Sequence, residues 1–235
     1  MTIVYVDTEH DRVFDDPERG PAHRLKVEET IDRLAAAAGE PCRSVRFAGV
    51  SPPEMERLAP TAVVISGNTT DWKVFEIPTL TGLLDTIRAA PVPILGICAG
   101  HQLVGVAHGA PWGPLGVLRE GEVDPDPRFV PGRRKERGFL PVLVDSRCPL
   151  FRNLEPAIEV FQSHYWQLED VPRGFVGRAS SAWSALQAIE RLDRPVFSVQ
   201  FHPERYDDAH PHGKVVLRNF FALARTRGAD DAGAR

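Results

Sequence analysis

The sequence PILGICAGHQ occupies residues 93–102 and joins an apolar strand to a tight turn around Cys98. Gly96 and Gly100 flank the cysteine in a Gly-x-Cys-x-Gly pattern, and such small residues let backbone segments approach closely at a strand-to-helix turn. A segment with helical character follows at residues 102–107. This arrangement is a nucleophile elbow with sulfur in place of a serine oxygen. Because unpaired N–H groups at the start of a helix favour a thiolate, we predict that Cys98 is a nucleophile.

A second segment, VFSVQFHPE at residues 196–204, supplies the base that a cysteine nucleophile needs. An alternating apolar strand delivers His202 to its C-terminal end, and Glu204 follows two residues later. Glu204 can therefore reach the ring nitrogen that His202 does not use on sulfur. We predict a triad of Cys98 as nucleophile, His202 as general acid and base, and Glu204 as the residue that orients the histidine.

Apolar strands alternate with amphipathic helices in the first half of the chain. This β-α-β-α order predicts an α/β fold with a mostly parallel central sheet and helices on both faces. The predicted strands are residues 3–6, 44–47, 62–65 and 94–97, and the predicted helices are residues 25–38, 53–58 and 79–89.

The second half changes to short strands separated by turn residues, which predicts a small antiparallel region in the C-terminal half. Its strands are expected at residues 115–119, 139–144, 159–162, 175–179, 185–192 and 196–201. Asp193 and Arg194 have the character of a turn between antiparallel strands. A last helix is expected at residues 214–226. Residues 228–235 are small and polar, so we expect a disordered tail there.

Length and composition narrow the function classes. The chain of 235 residues is long enough for one α/β domain, which we place at residues 1–227. A protein with a net charge of −4 has no overall electrostatic attraction to nucleic acid or to an anionic membrane, so we expect neither as a partner. No apolar run has transmembrane length, and the N-terminus lacks the features of a signal peptide. Three widely spaced cysteines make no disulfide framework and no metal pattern. We therefore expect a cytoplasmic protein with no metal and no cofactor.

The segments GICAGHQ (residues 96–102) and QFHPE (residues 200–204) resemble the signatures of class I (triad-type) glutamine amidotransferases. The resemblance spans most of the chain and implies the flavodoxin-like fold of that family. It also implies a reaction, in which the side-chain amide of glutamine is hydrolysed through a γ-glutamyl thioester and the ammonia passes to a synthetase. The chain has no P-loop pattern for a nucleotide-binding domain, so we expect the synthetase to be a separate partner subunit.

An amide hydrolase must also stabilise a tetrahedral oxyanion. The main-chain N–H of Ala99, directly after the nucleophile, is the first candidate donor. By resemblance, the second donor is the main-chain N–H of Asn68, within the segment ISGNTT at residues 65–70. The family commonly has Ser-Gly-Gly-Pro here. Gly67 matches that pattern, whereas Asn68 replaces the second glycine and Thr69 replaces the proline. A main-chain donor survives such substitutions, and asparagine tolerates positive φ better than most residues.

Residues that bind the substrate complete the expected site. Gln102 lies one helical turn after Cys98, which places both near the same pocket. The resemblance implies that Gln102 contacts the substrate and that the backbone near His164 holds its α-amino and α-carboxylate groups. The expected substrate-binding residues are Gly67, Gln102, Ser163, His164 and Tyr165. A purely structural role for His164, capping and packing its strand, stays open.

Two other functions are compatible with these motifs. A stand-alone γ-glutamyl hydrolase or peptidase would use the same chemistry as far as the thioester, and an assay of glutamine beside γ-glutamyl peptides separates the two. The second alternative is a degenerate domain that binds or regulates without catalysis. The intact Cys98, His202 and Glu204 argue against it, and the altered loop at Asn68 and Thr69 is its only support.

Overall fold

The computed structural model describes residues 2–233, and within them most strands join one nine-stranded sheet. The strands are β1 (Ile3–Asp7), β2 (Cys42–Arg46), β3 (Ala62–Ile65), β4 (Ile94–Ile97), β5 (Trp112–Pro114), β6 (Glu136–Val144), β7 (Ala157–His164), β8 (Trp166–Leu168), β9 (Phe175–Ser180), β10 (Ala188–Arg191) and β11 (Val196–Val199). The order in the sheet is β2-β1-β3-β4-β11-β10-β9-β6-β7, while β5 and β8 form a separate antiparallel pair.

The sheet has a parallel half and an antiparallel half. Strands β2, β1, β3, β4 and β11 run parallel, and β10, β9, β6 and β7 are added in antiparallel fashion. Because β4 pairs with β3 on one side and with β11 on the other, their C-terminal ends lie side by side at one edge. The expected fold class, with a parallel sheet and an antiparallel C-terminal region, is confirmed.

Helices cover both faces of the sheet. They are α1 (Asp11–Phe14), α2 (Arg19–Ala38), α3 (Pro52–Leu58), α4 (Ile77–Ala89), α5 (Ala99–Ala107) and α6 (His212–Gly233). Their ends follow local chemistry: the Ser51 hydroxyl accepts the N–H of Glu54 to begin α3, and Gly39 takes a left-handed φ of 69° to end α2.

The apolar core has two parts, one on each face of the sheet. One joins α2 and α6 to the sheet through residues such as Leu34 and Phe220, both fully buried. The other joins α3, α4 and α5 through residues such as Met55, Leu83 and Val104. Burying apolar surface on both sides of a parallel sheet is what stabilises this architecture.

The structure corrects some of the expected boundaries. Strands β3 and β4 have the predicted bounds, and α2 begins at Arg19, six residues before the predicted start. The predicted strand at residues 115–119 is wrong: Gly116 has a φ of 102°, and this segment is a loop with a single bridge between Val117 and Arg133. The sequence patterns do not predict the short pair β5 and β8.

The C-terminal helix enters the segment for which we predict a disordered tail, since α6 is assigned as far as Gly233. Residues 234 and 235 lie outside the described residues, and the disordered tail stays a prediction. Within residues 2–233, no helix combines the length and apolar character needed to cross a membrane.

Candidate active site

Cys98 lies at the turn between β4 and α5 in a strained backbone conformation. Its φ is 53° and its ψ is −104°, a region that non-glycine residues rarely adopt. The N–H of Cys98 donates to the carbonyl oxygen of Val199 at 2.9 Å, so the neighbouring strand β11 holds the turn. The side chain is largely buried, yet it lines a pocket at the edge of the sheet. These features are those of a nucleophile elbow.

The two glycines of the elbow are required by close backbone contact. A Cβ atom at Gly96 would lie 2.5 Å from the carbonyl oxygen of Gly100. A Cβ atom at Gly100 would lie 2.4 Å from the carbonyl oxygen of Ile65. Both distances are far below a van der Waals contact, so a side chain at either position would force the turn apart.

His202 and Glu204 follow β11 and are joined by a hydrogen bond. The Nδ1 atom of His202 lies 2.7 Å from Oε1 of Glu204. A single 3₁₀ turn, Pro203–Arg205, folds Glu204 back onto the histidine. The main chain is held as well, because the N–H of His202 donates to the carbonyl oxygen of Phe161 at 2.8 Å. With Nδ1 engaged by the carboxylate, Nε2 of the ring is left for another partner.

His202 and Glu204 each stabilise the charged form of the other. Burial lowers the pKa of His202, but the charges of Glu204 and Cys98 and the hydrogen bonds to both side chains raise it to about 9. Burial raises the pKa of the Glu204 carboxyl, but the charges of His202 and Lys26 hold it below its usual range. At neutral pH this is an imidazolium–carboxylate pair beside the sulfur of Cys98.

Gly67 lies in contact with both His202 and Cys98. A Cβ atom there would lie 2.9 Å from Cε1 of His202 and 3.6 Å from Sγ of Cys98. The histidine ring and the sulfur therefore both lie against this glycine. The other two cysteines have a different environment, since burial raises the pKa of the Cys42 and Cys148 thiols to about 12.

The expected oxyanion donors are placed beside the nucleophile. Asn68 lines the same pocket as Cys98, and Ala99 begins helix α5. Neither main-chain N–H donates a hydrogen bond within the described part of the chain. Two free donors beside a nucleophile are what an oxyanion requires.

A pocket of about 510 Å³ opens over Cys98 and collects most of the expected substrate-binding residues. Its wall includes Asn68, Gln102, Ser163, His164 and Tyr165. The Tyr165 hydroxyl donates to Asp71 at 2.7 Å, which ties this wall to the loop after β3.

The structure shows that His164 and Gln102 are anchored by the protein itself. The ring nitrogens of His164 lie 2.9 Å from the carbonyl oxygen of Trp166 and 3.0 Å from Glu136. The Gln102 amide accepts from Trp72 at 2.6 Å and donates to Trp166 and to Gln200. Because both amide hydrogens are used, Gln102 can offer a ligand only the remaining lone pair of Oε1.

A buried lysine shapes one side of the pocket and is not identified by the sequence patterns. Lys135 is 1% exposed, and its Nζ lies 2.8 Å from Asp124 and 2.8 Å from the carbonyl oxygen of Asp126. It also donates to the carbonyl oxygens of Phe129 and Val130. These contacts fold the loop so that Phe129 lines the pocket.

Glu9 is a second residue that the sequence patterns miss. It follows β1, and its carboxylate is bound to the loop of Asn68 through Thr69. The sequence does contain one indication of this role, an acidic residue shortly after an apolar strand. The C-terminal ends of parallel strands often carry functional side chains.

His101 adjoins the nucleophile but faces away from the chemistry. It is fully buried, with its ring nitrogens 2.9 Å from the Ser198 hydroxyl and 3.1 Å from the carbonyl oxygen of Leu186. Burial lowers its pKa to about 3, so the ring is neutral. Among residues 2–233 there is no group of three histidine, cysteine or acidic side chains positioned for a metal ion.

Comparisons with known proteins agree with this geometry. The family model described as glutamine amidotransferase class-I matches residues 24–224. A glutamine-hydrolyzing GMP synthase subunit of Methanocaldococcus jannaschii is 30% identical over 183 residues, which are 76% of this chain and 87% of that subunit. The glutamine-hydrolyzing GMP synthase of Caldanaerobacter subterraneus is 30% identical over 191 residues, 81% of this chain but 33% of that protein.

Solved structures share the fold over nearly the whole chain. A protein of Thermoplasma acidophilum, named as a candidate GMP synthase subunit, has a TM-score of 0.74 at 22% identity, covering 99% of this chain and 98% of its own. A glutamine amidotransferase of Thermotoga maritima has a TM-score of 0.63 at 17% identity, covering 95% and 97%. The chain belongs to the class-I glutamine amidotransferase family.

Proposed function

We propose that the protein releases ammonia from the side-chain amide of glutamine through a thioester on Cys98. The observation that carries this proposal is the His202–Glu204 pair, joined at 2.7 Å and placed with Cys98 against Gly67. A cysteine nucleophile, an oriented histidine and nearby oxyanion donors are the parts that amide hydrolysis needs.

Acylation begins from an ion pair in which the proton of Cys98 already lies on Nε2 of His202, because the raised pKa of the histidine favours its protonated form. The sulfur then attacks the amide carbon of glutamine and forms the C–S bond. The carbonyl oxygen becomes an oxyanion, which accepts hydrogen bonds from the main-chain N–H groups of Asn68 and Ala99.

Collapse of this intermediate breaks the C–N bond. The proton on His202 goes to the departing nitrogen, so ammonia leaves and a γ-glutamyl thioester remains on Cys98. His202 next removes a proton from water, and the resulting hydroxide attacks the thioester carbon. The C–S bond breaks, glutamate is released, and the protonated His202 faces the Cys98 thiolate again.

The ammonia is proposed to pass to a synthetase on a separate chain. Relatives that this chain covers over most of their length are named as single subunits of a glutamine-hydrolyzing GMP synthase, and such a name implies a second subunit. The synthetase subunit of a GMP synthase is therefore the first partner to test. A reducing compartment such as the cytoplasm suits the protein, because its three cysteines are free and one of them acts as a thiolate.

The test is release of glutamate and ammonia from glutamine by the purified protein, alone and with a GMP synthase synthetase subunit. Cys98→Ala should abolish release in both settings, while Cys42→Ala, which removes a thiol outside the pocket, should retain it. Unchanged release in Cys98→Ala would contradict the thioester. Glutamate release from γ-glutamyl peptides but not from glutamine would show a γ-glutamyl hydrolase instead.

A further inference from the structure

The loop that carries Asn68 is held by a buried carboxylate at the end of β1. Glu9 is 1% exposed, and all the hydrogen bonds of its carboxylate are local or go to this loop. Its Oε2 accepts from the N–H and the hydroxyl of Thr69, each at 2.7 Å. Its Oε1 accepts from the Thr70 hydroxyl at 2.7 Å and from the N–H of His10 at 3.0 Å. The buried charge is thus fully satisfied by donors.

One of these hydrogen bonds depends on the residue that departs from the family pattern. Thr69 stands where the family commonly has proline, and a proline has no N–H to donate. Threonine supplies both an N–H and a hydroxyl, and Glu9 accepts both. The hydroxyl of Thr69 also accepts from Arg19 at 3.1 Å. In this loop, hydrogen bonds to the Glu9 carboxylate restrain the position where the family commonly has a rigid proline ring.

The peptide group between Gly67 and Asn68 is held by hydrogen bonds to its carbonyl oxygen. The carbonyl oxygen of Gly67 accepts from the Ser66 hydroxyl at 2.8 Å, and the Thr8 hydroxyl lies between this oxygen at 3.2 Å and the carbonyl oxygen of Ser66 at 3.1 Å. The N–H of Thr8 in turn donates to the Ser66 hydroxyl at 2.9 Å. A trans peptide is planar with its C=O and N–H pointing in opposite directions. Holding the Gly67 carbonyl therefore sets the direction of the Asn68 N–H.

We propose that Glu9 is a positioning residue that presets the Asn68 N–H as an oxyanion donor. Thr8 and Ser66 fix the orientation of the donor's own peptide, and Glu9 fixes the residue that follows it. This inference rests on the proposed glutaminase reaction and explains how a loop without the second glycine and the proline keeps a donor in place. Preorganisation of this kind lowers the energy of the transition state more than that of the bound substrate.

The kinetic test compares Glu9→Ala and Glu9→Gln with Glu28→Gln, an exposed carboxylate on α2 with no hydrogen bond in the described structure. Loss of an oxyanion donor lowers kcat by about 10²–10³-fold. We expect Glu9→Ala to approach that loss with KM changed less than about threefold. Glu9→Gln keeps one oxygen acceptor, so its loss should be smaller, and Glu28→Gln should match the wild type. A kcat within about twofold of wild type in Glu9→Ala would overturn the proposal.

A second measurement tests the positioning without relying on turnover. Amide hydrogen exchange of Thr69, whose N–H donates to Glu9, should accelerate at least about tenfold in Glu9→Ala and not in Glu28→Gln, while exchange in the core strands stays unchanged. Equal exchange in all three proteins would overturn the proposal, whatever the activity. If wild-type protein shows no Cys98-dependent glutamate release, the proposed function fails, and the exchange experiment still decides whether Glu9 holds the loop.

Discussion

The charge of Glu204 decides how strongly His202 holds its proton. Burial alone would lower the pKa of the histidine, and the charge of the carboxylate, 2.7 Å from Nδ1, is the largest of the effects that raise it. The buried imidazole therefore depends on its partner to remain charged.

Glu204→Gln should keep the shape of the pair and remove its charge. The pKa of His202 should then fall from about 9, and the high-pH limb of the rate profile should move to lower pH. We expect kcat to fall by about 10²–10⁴-fold, less than in Cys98→Ala, because the cysteine and the proposed oxyanion donors remain. The measurement is kcat against pH for wild type and Glu204→Gln. An unchanged profile would show that the carboxylate does not act through the histidine.

Two pocket residues illustrate how a side chain can belong to a site without being free to bind. The family resemblance predicts that Gln102 and the segment of His164 meet the substrate. The structure places both at the pocket, but their polar atoms are already bonded to Trp72, Trp166 and Glu136. Their substrate roles stay predictions, and the observed contacts show that they hold the wall of the pocket.

The loop at residues 116–134 is an element organised by one buried ammonium group. The Nζ of Lys135 contacts Asp124 and three carbonyl oxygens of the loop. Charged hydrogen bonds to buried carbonyls are worth more than neutral ones. Residues 133–137 have the sequence RRKER, a mostly basic run, and this run contributes a buried anchor through Lys135 as well as surface charge.

Lys135→Met should keep the aliphatic volume and leave these carbonyl groups without a donor. We expect the free energy of unfolding to fall by about 2 kcal/mol, together with faster amide exchange at residues 124–133. Because Phe129 would lose its support in the pocket wall, KM for glutamine should rise. Urea unfolding and hydrogen exchange measure these effects, with Lys73→Met, an exposed lysine, as the control. A loop that exchanges as slowly as in wild type would contradict this role.

The whole fold brings the site together through strand order. The segments that carry Glu9, Gly67, Cys98 and His202 follow β1, β3, β4 and β11, which are consecutive and parallel in the sheet. Their C-terminal ends must therefore meet at one edge, although they are far apart in the chain. The antiparallel half adds the wall with Ser163 and Tyr165.

The raised pKa of His202 also makes the stability of the whole molecule depend on pH. A folded-state pKa of about 9 against an ordinary 6.5 means that the folded protein binds this proton more tightly. The stabilisation is complete below pH 6.5 and is lost as pH rises through about 9. Its size is at most about 3 kcal/mol.

Urea unfolding of wild type and His202→Gln between about pH 6 and pH 10 measures this dependence. The free energy of unfolding of wild type should fall across the range, and the variant should lack that part of the slope. Glu204→Gln should also flatten it, because the charge that raises the pKa of the histidine is gone. Identical slopes in all three proteins would show that the proton is not coupled to folding.

The sequence by itself determined the chemistry and the fold class. The Gly-x-Cys-x-Gly elbow, the strand that ends in His202 and Glu204, and the alternation of strands and helices are local patterns, because each depends on backbone sterics or periodicity between near neighbours in the chain. Local patterns also produced the error at residues 115–119, where Leu115, Val117 and Leu118 are apolar but Gly116 adopts a positive φ that is incompatible with a strand.

Only the tertiary structure decided which side chains hold the site in place. Glu9 and Thr69 are 60 positions apart in the chain, and Gln102 and Gln200 are 98 positions apart. Contacts between residues so far apart produce no local pattern in the sequence. Lys135 is a charged residue in a basic run and becomes buried because the loop before it folds over its ammonium group. Such contacts depend on which strands lie side by side, and long-range packing alone sets that order.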